Sequence, residues 1–146
     1  MIRSLIRRRK AKRIANRIAT IVNASSGLPF FLKDDAYQLI PANAFVRAYL
    51  YGAISCGMRI VDLKGKLETK GWVIWETFDR LFPGKSDDLV AWCNEKGSSE
   101  DSEFKRVLAI GFGEMNHVLE ALVESNPANV KTLETLRAHI SKITLE

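Results

Sequence analysis

The side chains able to do nucleophilic, acid–base or metal chemistry are few and scattered. The chain of 146 residues has two Cys and two His. Cys56, Cys93, His117 and His139 each stand alone, without the short-range ligand pairs of zinc modules. Glu114-Met-Asn-His117 has the i, i+3 spacing with which helical bundles hold di-metal centres. Such a centre needs a second copy and two further carboxylates. His139 has Leu136 three residues before it, so the motif reads as a solvated polar face. Glycine-rich phosphate loops and the nucleophile elbow G-x-S-x-G are absent. Gly111-Phe-Gly113 sits in a helical apolar stripe and reads as a point of close helix contact. Both cysteines lie among apolar neighbours and read as core thiols; without a disulfide framework they point to a reducing, cytoplasmic setting. No catalytic residue, metal ligand or cofactor is assigned, and the chain reads as non-enzymatic.

The chemistry that remains is charge. Residues 1–33 carry nine bases and no acid, while residues 34–146 hold thirteen bases and all seventeen acids. The net charge of +5 therefore comes from a strongly basic front on a slightly acidic body. Arg3, Arg7, Arg8, Arg9, Lys10, Lys12, Arg13 and Arg17 form the candidate binding set. Like charges this dense destabilise an isolated helix, so an anionic partner is expected. Phosphate backbones are the first candidate, through counterion release. An anionic membrane surface is another, with Ile2, Leu5 and Ile6 in the lipid interface. An acidic protein surface is the third, including the body of another copy in a homo-oligomer. The segment also has the arginine-rich, acid-free, amphipathic character of a mitochondrial transit peptide.

A second candidate contact point lies in residues 67–82. Leu67, Ile74, Trp75, Phe78, Leu81 and Phe82 share one side of a helix there. Trp72 falls on the other, near Glu68, Glu76 and Asp79, a combination that attracts Arg and Lys. The competing reading folds Trp72 under the preceding loop.

These residues need elements to hold them. At 47% hydrophobic residues the chain suits one globular domain, and no apolar run approaches a membrane span. The expected architecture is mainly α: a bundle of five to six helices with a basic N-terminal helix or arm. Residues 1–24 form that helix or arm and residues 25–146 the bundle domain. Ile14, Ile18, Ile21 and Val22 share one side of the first helix, whereas Ile2, Leu5 and Ile6 point elsewhere. A break near Arg7-Arg8-Arg9-Lys10 is therefore expected, freeing residues 1–10. Residues 28–40 flank Lys33-Asp34-Asp35 and read as a short β-hairpin, with Pro29 on its edge strand.

Asn43 caps a long helix running to about Asp62, apolar over more than half its circumference and so central. Gly52 and Gly57 weaken it unless a neighbouring helix comes close. Pro83-Gly84 ends the next helix, and Ser86 caps a short one. A strong helix spans residues 103–125, and Asn126-Pro127 opens the last one. These final two helices are expected to pair as an antiparallel hairpin.

The functional expectation is a small non-enzymatic binding protein. Its basic front contacts nucleic acid through phosphates, without reading sequence. A protein inhibitor or adaptor, or a membrane-surface helical protein, is the alternative.

Overall fold

The computed structural model describes residues 2–32, 36–60, 67–124 and 131–145, and they form eight helices with no strand among them. α1 (Ile2–Ser26) is unbroken. No glycine or proline interrupts it before Gly27, and Arg and Lys are good helix formers, so the change of apolar phase at residues 7–10 does not break it. Its body-facing side buries Ala11, Ile14, Ala15, Ile18, Ala19 and Val22. The other apolar cluster is simply left in solvent, with Ile2 74%, Leu5 59% and Ile6 60% exposed. Gly27 ends the helix in the left-handed region at φ +69°, donating its N–H to the Asn23 carbonyl at 3.0 Å.

The expected hairpin is not there. Its first half is a helical turn, α2 (Leu28–Phe31), and its second is α3 (Ala36–Ala42). Pro29 has a fixed φ that suits the first turn of a helix as well as an edge strand, and here it takes the former role. With these two short helices the described residues form eight helices, not the expected five to six. The proposed turn Lys33-Asp34-Asp35 lies outside the described residues.

α4 (Ala44–Ile60) opens at Asn43, whose Oδ1 accepts the Val46 N–H at 3.1 Å. Its expected last residues, to Asp62, lie outside the described residues. α5 (Leu67–Leu81) stops before Pro83-Gly84, where Gly84 has φ +84°. α6 (Ser86–Ser98) begins one residue earlier than read: Lys85 takes the cap position, and Ser86 is buried within 3.5 Å of the Asp79 carboxylate. The Trp75 indole N–H donates to Asp87 at 2.7 Å and holds this corner closed.

α7 (Ser102–Glu124) is capped by Asp101, whose Oδ1 accepts the Phe104 N–H at 2.9 Å. That bond, helped by Lys96 at 3.7 Å, holds the Asp101 carboxyl below the usual carboxylate range. α8 (Glu134–Leu145) is tethered where the Leu133 N–H donates to the Ser25 carbonyl at 3.0 Å. Asn126-Pro127, read as the start of this helix, lies outside the described residues.

Two helix pairs dominate the packing, α4 with α7 and α1 with α5, around one continuous core. Gly52 and Gly111 bring α4 and α7 into backbone contact: a Cβ on Gly52 would stand 2.0 Å from the Leu108 oxygen, and one on Gly111 2.0 Å from the Tyr49 oxygen. Gly57 meets the Ile18 side chain at 3.0 Å, while Gly113 faces open space. α1 buries Ala11, Ala15 and Ala19 and α5 buries Thr69, Val73 and Thr77, each row at four-residue spacing. α8 packs on α2, α3, α4 and the end of α1 and does not lie along α7, so the expected hairpin of the last two helices is not formed. The apolar stripe of α7 is already taken by α4.

Two polar devices sit in this core. Arg47 of α4 donates to the Pro41 carbonyl and to Asp88, both at 2.6 Å, with its guanidinium 5.5 Å from the Trp92 ring centre. Glu114 of α7 accepts from the Tyr49 hydroxyl at 2.7 Å and from the Thr135 N–H at 3.1 Å, and also bonds the Thr135 hydroxyl. Burial, reinforced by Glu114, pushes the Tyr49 hydroxyl far above its ordinary pKa. Glu114→Ala would strand a buried phenol and a backbone N–H. It is expected to lower the unfolding free energy by about 2–3 kcal/mol in urea titration, with Glu114→Gln losing less.

His139 on α8 stacks on Phe45 at a centroid distance of 4.2 Å. Burial, with Lys142 nearby, lowers its pKa below the ordinary 6.5. The unfolded chain then binds the proton more readily, so stability present above pH 6.5 falls as pH drops through that value and below. We expect a lower melting temperature at pH 5 than at pH 7.5, and a flatter dependence in His139→Gln. Equal pH dependence in the two proteins would rule this out.

Candidate nucleic-acid interface

The basic set is carried by a helix that is half anchored and half free. From Ala11 onward α1 belongs to the core; residues 2–10 are exposed throughout, apart from half-buried Arg7. Arg3, Arg8, Arg9, Lys10, Lys12, Arg13 and Arg17 are all exposed. Among the described residues none of the eight bases of α1 forms an ion pair; the three pairs present are Arg47–Asp88, Lys96–Asp101 and Arg106–Glu103. Lys10, Arg13 and Arg17 line one flank of the helix with Ile14, around a shallow depression of about 190 Å³.

One further base joins this set from elsewhere in the chain. Arg80 of α5 is exposed and reaches the Lys12 carbonyl with Nη2 at 3.5 Å. It enlarges the positive surface where α5 crosses the arm. It lies 68 residues from Lys12, and only the α1–α5 pairing brings the two together, so no local pattern marks it.

The Trp72 group is placed differently. Trp72 is half-buried and packed against the core, and Glu76 is only 8% exposed. Asp79 accepts from the Gly84 N–H at 3.3 Å, with the Ser86 hydroxyl at 3.5 Å, and so serves the α5–α6 corner. The side chain of Glu68 lies outside the described residues. Trp72, Glu76 and Asp79 are thus distributed between packing and local capping and do not form one open surface.

Glu114 and His117 line a hollow of about 430 Å³ with Lys131, Thr132 and Glu134. Glu114 is committed to Tyr49 and Thr135 there. Among the described residues no three of His, Cys, Asp and Glu gather as a group able to hold a metal ion. Cys56 and Cys93 are free and buried; burial pushes the Cys56 thiol up to about 11 and the Cys93 thiol up to about 12. Neither is activated as a nucleophile. Among the described residues no helix is long and apolar enough to cross a membrane.

Comparison with protein-family models, with curated proteins and with solved structures finds no match to this chain.

Proposed function

We propose that this is a non-enzymatic protein that binds nucleic acid through the phosphate backbone, with α1 as the contact element. One observation carries the reading: eight bases stand on a single helix without an acid through Ser26 and, among the described residues, without an ion pair. A helix whose remaining half is locked into a core presents those bases in a fixed array, so little ordering entropy is lost on binding. The bases of α1 contact phosphates, which carry charge but no sequence information. Two buried free thiols suit the reducing cytoplasm in which such a protein would work.

Electrophoretic mobility of single- and double-stranded nucleic acid at two salt concentrations tests this reading. A steep loss of affinity at the higher salt is expected for the full chain. Salt-insensitive retardation, or none at low salt, would exclude it.

A further inference from the structure

Within that reading, on which this step rests, we infer that the ligand is duplex DNA and that residues 2–10 enter its major groove. Four features of α1 point the same way. The first is shape. The helix is unbroken from Ile2, and before Ala11 only Arg7 is even half-buried, so a largely exposed rod extends past the core. An α-helix with its side chains is about 10–12 Å across, and the B-form major groove is about 12 Å wide. The A-form major groove of duplex RNA is deep and narrow and does not admit it.

The second is the distribution of charge. Arg7, Arg8, Arg9 and Lys10 follow one another at steps of about 100° around the helix, so they point in all four quadrants. Arg7 is half-buried, which leaves Arg8, Arg9 and Lys10 exposed on three sides, where walls of phosphate on both sides can use them. A flat anionic surface leaves about half of them facing water.

The third is Ile2, Leu5 and Ile6. They cluster on one side of the rod, away from the Ala11–Val22 stripe that docks on the core, and stay largely exposed. On a groove floor such side chains meet thymine methyl groups. The fourth is a composition: residues 2–26 contain no Phe, Tyr, Trp or His. Binders of single strands rely on aromatic platforms for base stacking, and α1 offers none.

Fluorescence anisotropy of the full chain with a two-turn DNA duplex, the matching RNA duplex and either single DNA strand, at one salt concentration, tests the inference. The DNA duplex is expected to bind at least about tenfold tighter than the others, although all carry phosphates. Dimethyl sulfate reactivity at guanine N7, which lies in the major groove, is expected to fall on binding. The triple variant Ile2→Ser, Leu5→Ser, Ile6→Ser is expected to weaken duplex binding while leaving its salt slope unchanged. Equal or tighter binding of single strands or RNA duplex, or unprotected N7, overturns the groove assignment and leaves the phosphate-contact reading standing. Binding to phosphatidylserine vesicles with none to any nucleic acid overturns both.

Discussion

Gly111→Ala is expected to destabilise this fold by about 3 kcal/mol or more. The new methyl would lie 2.0 Å from the Tyr49 carbonyl oxygen and 2.8 Å from its carbon. The obstacle is backbone in the middle of α4, so no side chain can rotate aside. α4 and α7 must move apart until ordinary contact is restored, and that opens gaps between their other interdigitated side chains. Overpacking usually costs about 1–3 kcal/mol, and a clash between two helix backbones belongs at or above the top of that range. Total stability for a domain this size is about 5–15 kcal/mol, so partial unfolding at room temperature is within reach. Gly52→Ala meets the Leu108 oxygen at 2.0 Å and is expected to behave alike.

Because one separation of the helices relieves both clashes, the double variant is expected to lose less than the sum of the singles. Gly113→Ala serves as the contrast. Its Cβ meets nothing within 4 Å, so alanine there is expected to stabilise α7 by about 0.5–1 kcal/mol. Urea unfolding followed by far-ultraviolet circular dichroism reads all four proteins. An unchanged midpoint for Gly111→Ala would mean that the close approach of α4 and α7 is not real.

The second large effect is on binding. Changing Arg7, Arg8, Arg9 and Lys10 together to Gln removes four charges from this end of α1, three on exposed side chains and one on half-buried Arg7, and touches none of the fully buried residues. Each duplex phosphate neutralised contributes about 0.9 to the slope of log K against log salt, so loss of four contacts lowers that slope by about 3.6. At about 0.1 M salt, a decade below the 1 M reference, affinity is expected to drop by between three and four orders of magnitude. Thermal stability is expected to stay level or rise, since the four like charges repel one another in the unliganded helix. A variant that binds as the parent does, with the same slope, would remove α1 from the interface.

Much of the helical framework was legible because its signals are local. Asn43 before an apolar run, Pro83-Gly84 after one, and the stripe from Phe104 to Leu119 each lie within a few turns of chain. What escaped depended on partners far away in sequence. Leu28-Pro-Phe-Phe is too short for periodicity to separate strand from helix, and Pro29 fits both. The second buried side of α5 escaped because Thr69, Val73 and Thr77 form a row of small side chains with little apolar signature. They count only once α1 and α5 have paired, and Glu76 of the same helix is buried as well. The expected break at residues 7–10 treated an apolar phase change as a chain breaker. Without glycine or proline the helix continues and leaves Ile2, Leu5 and Ile6 in water. For the binding set, charge density was readable from sequence, whereas the contribution of Arg80 required the fold.

The uninterrupted course of α1 gives dissolved ions two opposed tasks. Between the bases of its free end, added electrolyte shortens the reach of repulsion, from a Debye length of about 30 Å at 0.01 M to about 10 Å at 0.1 M, and so firms up the rod. Toward a phosphate-bearing partner, the same electrolyte erodes the gain from releasing condensed counterions. Under the proposed phosphate binding, the free end of α1 would therefore be most rigid where it grips least, and a dilute medium would both loosen the empty rod and tighten the loaded one.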